Sequence, residues 1–226
     1  MNNEKLLEVV DVTKVFSTEE VETFAVNKVS FHINRGEYLA ISGPSGGGKS
    51  TILSILGLLD SPTTGQYFFK GNETSKLSRD ELSNIRNQEI GFIFQSFNLI
   101  ENMSVLDNVM LPLIYRPSVK KANVKARAIH CLEQVGMAHR KNHSPTQLSG
   151  GQQQRVAVAR AMVTDPSIIF ADEPTGNLDS KSAETVMDLI KQQHKNGATV
   201  CIVTHDPRYT QDATRTIHFA DGSLVS

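Results

Sequence analysis

The feature that most restricts this chain is a run of eight residues, Gly43-Pro44-Ser45-Gly46-Gly47-Gly48-Lys49-Ser50. It follows a short apolar stretch at 38–42 and opens a helical-looking one at 50–59. Glycine, four residues, then Gly-Lys-Ser at a strand-to-helix junction is the pattern of a phosphate-binding loop. Glycines let backbone N–H groups turn inward around phosphate oxygens, the helix that follows presents its positive end, and Lys49 adds a full charge. Ser50 is then placed to offer its hydroxyl to Mg²⁺. A glycine-rich turn that binds nothing has no need of Lys-Ser in that place.

Such a loop belongs to a sheet, and the rest of the sequence supplies one. Residues 6–16 and 29–33 read as strands, with a turn at Asn34-Arg35-Gly36, which predicts an antiparallel lobe. The apolar runs 167–171 and 199–203 read as buried strands separated by a helix over 182–194. Alternation of this kind is how a parallel sheet with crossover helices reads. Residues 74–86, 117–137 and 152–164 favour helices, with a strand at 91–94, which predicts a helical subdomain. The expected fold class is α/β: a phosphate-loop core with a parallel sheet, an N-terminal antiparallel β lobe and an inserted helical subdomain. At 226 residues the chain reads as a single domain, 1–226, with the helical part within approximately 86–165.

Composition narrows the class of partner. Lys+Arg number 23 and Asp+Glu 24, and the net charge of −1 argues against a nucleic-acid binder. The most apolar stretch, 52–59, is far shorter than the ~20 residues of a spanning helix, so the chain is not expected to cross a bilayer. Met1-Asn2-Asn3-Glu4-Lys5 lacks the basic start and apolar run of a secretion signal, and a cytoplasmic location is the expectation. Cys131 and Cys201 have no ligand cluster beside them and read as small buried apolar residues. His139 and His143 are four apart, but no carboxylate cluster accompanies them.

Two further segments carry chemistry. Ile168-Ile169-Phe170-Ala171-Asp172-Glu173 is an apolar run that delivers two acids to a strand end, where ligands bind in open α/β sheets. Asp172 can hold Mg²⁺, and Glu173 is placed to polarise a water against a terminal phosphate. Leu148-Ser149-Gly150-Gly151-Gln152-Gln153-Gln154-Arg155 puts a hydroxyl and bare backbone N–H groups at a helix start, where anions are favoured. A generic phosphate-loop kinase or GTPase has no role for that segment, and no Asn-Lys-x-Asp guanine-reading motif is present. The segment closely resembles the signature of the ATP-binding-cassette family, and phosphate loop, signature and acidic strand stand in the family's order.

The resemblance extends over nearly the whole chain and implies an ATPase that uses ATP and Mg²⁺. By that resemblance Gly43, Pro44, Ser45, Gly46, Gly47, Gly48, Lys49, Ser50 and Thr51 bind ATP. Phe16 matches the position that stacks on adenine, where tyrosine is commoner; stacking needs only the ring's face. Ser50, Gln95 and Asp172 would hold Mg²⁺. The implied catalytic set is Glu173, acting on water, His205 on the γ-phosphate, and Gln95, which also senses a membrane partner. Ser149, Gly150, Gly151 and Gln152 would bind ATP in trans, and Asp179 of Asn177-Leu178-Asp179 would lie at the dimer interface.

The implied partners are a second copy, joined with ATP, and a separate integral membrane permease, which puts the chain peripherally on the inner face of the cell membrane. No nucleic acid is expected. Phe97-Asn98-Leu99-Ile100-Glu101-Asn102-Met103 is the expected docking surface, whereas Arg116, Lys120, Lys121, Lys125 and Arg127 read as a solvated helix face. An insertion at 17–24, Gly57-Leu58-Leu59-Asp60, Phe94-Gln95-Ser96-Phe97 and the stretch 172–179 look most like the lipoprotein-release, macrolide-export and antimicrobial-peptide group. The alternative is a soluble cassette ATPase acting on DNA or ribosomes. It calls for coiled-coil or zinc insertions or a second cassette, and the sequence offers no heptad stretch.

Overall fold

The computed structural model describes residues 4–17, 21–116 and 120–225, the Lys121 side chain excepted. In chain order the elements are β1 (Lys5–Ser17), β2 (Glu22–Asn34), β3 (Tyr38–Ser42), α1 (Lys49–Leu56), β4 (Thr64–Phe69), β5 (Asn72–Glu73), α2 (Arg79–Glu89), β6 (Ile90–Phe94) and α3 (Val105–Ile114). They continue with α4 (Lys121–Gln134), α5 (Gly150–Met162), β7 (Ile168–Asp172), α6 (Ser180–Lys195), β8 (Thr199–Val203), α7 (Pro207–Thr210), β9 (Arg215–Ala220) and β10 (Ser223–Val225). The chain divides into two compact units, Met1–Asn84 with Thr199–Ser226, and Ile85–Ala198.

The first unit holds an antiparallel sheet in the order β2-β1-β4-β5. Period-2 alternation drives its pairing: Leu7 stands opposite Ile33 on one side and Phe69 on the other, and all three are buried. The register shifts between Val9 and Val12, where Asp11 takes φ 49, and this bulge turns Val12 inward after Leu7 and Val9. In the same unit β3 lies between β8 and β9, parallel to both, and β10 forms a hairpin with β9. Leu39, Ala40 and Ile41 of β3 and Val200 to Val203 of β8 are fully buried, as strands covered on both faces are.

Strand β2 begins at Glu22, so the expected insertion at 17–24 is in part the end of a hairpin; residues 18–20 lie outside the described residues. Strands β4, β5, β9 and β10 were not anticipated. The first three residues of β4 are exposed, and the second half alone shows inward alternation, at Tyr67 and Phe69.

In the second unit β6 and β7 run parallel, with Ile90 opposite Ile168 and Phe94 opposite Asp172. Helix α5 lies close on β6: a Cβ at Gly91 would overlap the Ala161 carbonyl oxygen. Helix α3 was also unforeseen, since Pro112 stands inside it. Ser104 starts it by accepting the Asp107 N–H at 3.1 Å, and Val105, Leu106, Val109 and Leu113 supply the buried stripe. The helix expected over 117–137 is α4; residues 117–119 lie outside the described residues.

The basic run is not a solvated face throughout. Arg116 donates to the Thr164 carbonyl (2.5 Å), and Arg127 donates to the Val163 carbonyl (2.6 Å) and pairs with Asp165. These guanidiniums meet the carbonyls left open at the C-terminal end of α5. Cys131 and Cys201 are buried thiols. Among the described residues no helix is long and apolar enough to cross a membrane.

Candidate nucleotide site

In the first unit the phosphate loop leaves β3 and enters α1. Two of its glycines have no substitute. Gly43 has φ 146 and Gly48 φ 95, and a Cβ would overlap the carbonyl oxygen of Phe219 at the first and of Ala25 at the second. The Gly47 N–H donates to Pro44 (3.2 Å), and the Gly222 N–H donates to Gly47 (3.1 Å). Lys49 bends back into the loop: its Nζ donates to the carbonyls of Gly43 (2.9 Å) and Pro44 (2.7 Å), and the residue is 5% exposed. An incoming phosphate would bring this buried ammonium a counter-charge that its carbonyl partners do not provide.

Ser45, Gly46 and Ser50 are exposed, and Gly47 is buried. Ser50 belongs to the first turn of α1, so its hydroxyl stands at the positive end of the helix. Phe16, near the end of β1, is 49% exposed, with Lys14 Nζ 5.3 Å from its ring centroid. One ring is thus available in the same unit as the loop. Ile41 pairs with Val203, and the Thr204 N–H donates to Ile41 (3.1 Å), so Gly43 and His205, each two residues further on, leave the same end of the sheet. His205 is exposed. Beside it the Arg208 guanidinium holds the Asp206 carboxyl below the usual carboxylate range.

The second unit carries the other set. Because Phe94 and Asp172 are paired in register, Gln95 and Glu173 follow side by side from β6 and β7. Glu173 takes φ 42, a left-handed conformation that turns the chain sharply after the strand. A Cβ on Gly176 would stand 2.7 Å from Gln95 Nε2, and Asn177 donates to the Gln95 carbonyl (3.1 Å). Asp179 caps α6, accepting the Ser182 N–H at 3.0 Å; hydrogen bonds from Ser182 hold its carboxyl below the usual range.

Ser149 and Gln152 cap α5 reciprocally. The Ser149 Oγ accepts the Gln152 N–H (3.3 Å), and the Gln152 Oε1 accepts the Ser149 N–H (3.0 Å). A Cβ on Gly151 would stand 2.5 Å from Ser182 Oγ, and one on Gly150 3.4 Å from the Phe97 ring. Glycines therefore let the start of α5 settle against the starts of α6 and of the expected docking segment. That segment is pinned from within the unit. Arg160 donates to Asn98 (2.6 Å) and Phe97 (2.9 Å), both at positive φ, and buried Asn108 accepts the Ile100 N–H (2.7 Å) while donating to Ile100 and Ser104 (both 3.0 Å).

Sequence reasoning passed over Gln154, Arg160 and Asn108. The signal for Gln154 was the helical spacing Gln154, Ala157, Val158, Ala161, all buried, which puts it on the inward stripe of α5 and not with its polar neighbours. Ser50 in the first unit, and Gln95 and Asp172 in the second, each carry a hard oxygen of the kind Mg²⁺ takes. Among the described residues no group of three or more His, Cys, Asp or Glu forms a metal cluster.

These features are those of an ATP-binding cassette. The ABC transporter family profile matches residues 26–176. The chain is 48% identical over 220 residues to the macrolide export ATP-binding/permease protein MacB of Chlorobaculum tepidum, covering 97% of this chain and 34% of that protein. It is 47% identical over 220 residues to an uncharacterised ABC transporter ATP-binding protein of Thermotoga maritima, covering 97% of this chain and 94% of that one. The dimeric, post-hydrolysis structure of the ATP-binding cassette MJ0796 with ADP and Pi superposes with a TM-score of 0.90 at 44% identity, over 97% of both chains. The chain belongs to the ABC transporter family and is an ATPase cassette. It spans about a third of the length of the macrolide export relative.

Proposed function

We propose that this chain is the nucleotide-hydrolysing subunit of an export-type transporter, working as a homodimer whose two copies share each ATP. The two units then act as one cassette, 1–226. Gly43 to Thr51 receive the phosphates, Phe16 the adenine. Ser149, Gly150, Gly151 and Gln152 of a second copy close over the γ-phosphate, with Asp179 at the seam. The observation that carries the reading is Lys49, a buried ammonium held inside a glycine loop by that loop's own carbonyls.

Ser50, Gln95 and Asp172 are the residues to hold Mg²⁺, which when bound neutralises charge on the phosphate oxygens. Glu173 orients the attacking water and accepts its proton, and His205 donates to the γ-phosphate as charge develops. Catalysis is then mostly positioning and charge stabilisation, and loss of the base costs about 10²–10⁴-fold.

The partner is a membrane permease, docked on Phe97 to Met103, which makes the subunit peripheral on the cytoplasmic face of the membrane. The likeness to macrolide export proteins supports cargo of the lipoprotein, macrolide or peptide class. Complementation tests the shared site. Lys49→Ala and Ser149→Ala chains are each inactive, but a 1:1 mixture recovers about a quarter of the wild-type rate, because half the dimers are mixed and each has one intact site. No recovery counts against sharing. Recovery of a permease from detergent-solubilised membranes tests the partner, and recovery of only ribosomes or DNA overturns it.

A further inference from the structure

Gln154 is fully buried in α5, five residues after Ser149. Its Nε2 donates to two carbonyl oxygens, Phe94 at 3.1 Å and Pro174 at 2.6 Å. Phe94 immediately precedes Gln95, and Pro174 immediately follows Glu173. One carboxamide thus bridges the backbones from which both side chains hang. Its Oε1 is buried without a hydrogen-bond partner among the described residues. Turning the amide over would not help, because both carbonyls can only accept, and two bonds would be exchanged for two repulsions. The unsatisfied oxygen is tolerated because both N–H donors are in use.

The turn after β7 is shaped first by its own backbone. Pro174 brings no N–H, Glu173 sits at positive φ, and the turn closes with the Gly176 N–H on the Glu173 carbonyl (3.0 Å). Gln154 anchors it from another element. Ser149 and Gln154 lie about 7.5 Å apart along one helix. The Ser149 cap and the donors to the Phe94 and Pro174 carbonyls thus belong to one helix.

We propose that Gln154 is a positioning residue for hydrolysis, holding Gln95 and Glu173 in one arrangement and tying both to the helix that Ser149 begins. This rests on the roles given above to Glu173 and Gln95. Gln154→Met keeps length and volume and removes both donors. In the full chain it is expected to lower kcat about 10–100-fold, with KM for ATP within about threefold of wild type. A general packing role would instead lower thermal stability and nucleotide binding together with kcat.

A double-mutant cycle with Glu173→Gln separates the possibilities. If Gln154 acts by placing Glu173, adding Gln154→Met to Glu173→Gln slows the residual rate by no more than about twofold. Wild-type turnover in Glu173→Gln alone overturns the reading of Glu173. A slow Glu173→Gln beside a wild-type kcat in Gln154→Met overturns the positioning role, and losses that multiply in the double variant overturn the placing of Glu173 by Gln154. Should Gln154→Met fail to fold, Gln154→Asn decides: it keeps the donors one methylene short of the carbonyls, and a wild-type kcat there also overturns the proposal.

Discussion

Lys49 Nζ lies 2.9 Å from the carbonyl oxygen of Gly43, so its charge is held inside the glycine loop proposed to receive phosphate. On that proposal, binding would exchange two neutral acceptors for an anion. Lys49→Met is therefore expected to weaken ATP binding about 10–100-fold, a charged hydrogen bond being worth about 1.5–3 kcal/mol. Titration calorimetry measures it, and an affinity within a factor of two of wild type contradicts the assignment.

Phe16 offers an exposed ring, and stacking on a base is worth about 1–3 kcal/mol. Phe16→Ala should weaken ATP binding by about 5–100-fold while leaving inhibition by inorganic tripolyphosphate unchanged. Equal losses for both ligands would place the ring in the fold and not against adenine.

Gly91 marks where α5 touches β6. Gly91→Ala places a methyl against the Ala161 carbonyl, and overpacking of this kind costs about 1–3 kcal/mol. The urea midpoint should fall accordingly. Since β6 delivers Gln95, ATPase activity should fall with it; an unchanged midpoint would mean that the helix gives way freely.

Ser149→Ala removes the cap of α5, at about 0.5–2 kcal/mol. Nucleotide binding to an isolated copy should persist, while hydrolysis at high protein concentration is lost. Equilibrium binding by fluorescence together with steady-state turnover distinguishes the two; parallel loss of both would contradict a role in trans.

Burial pushes the Cys131 thiol up to about 11, outweighing the opposing pull of Arg127. At pH 8 the group is a neutral thiol, and thiolate is the nucleophile. Alkylation of the native protein should be about 100-fold slower than of the unfolded chain, and about tenfold faster at pH 9 than at pH 8. Mass-spectrometric labelling of Cys131 across that range reads the sign directly, and a flat rate contradicts it.

The readable parts of the site were those whose bonds close within a few residues. Lys49 reaches back five and six positions to its carbonyls, and Ser149 and Gln152 cap each other over three. The buried runs of β3, β7 and β8 were equally plain, because strands covered on both faces must be apolar along their whole length. Short edge elements such as β5 and β10 bury little, and α3 carries a proline, so local patterning said little about them.

By itself, the sequence determined the glycine loop and the strands that feed it, and the order of loop, signature segment and acidic strand was enough to point to the family. The tertiary structure alone decided what binds across distance: Gln154 is 60 residues from Phe94 and 20 from Pro174, and Arg160 is 63 from Phe97. A carboxamide or a guanidinium in a helix pattern looks the same whether it faces water or a carbonyl. Which it faces is set by packing that brings remote backbone to it, here α5 laid on β6 through the missing side chain of Gly91.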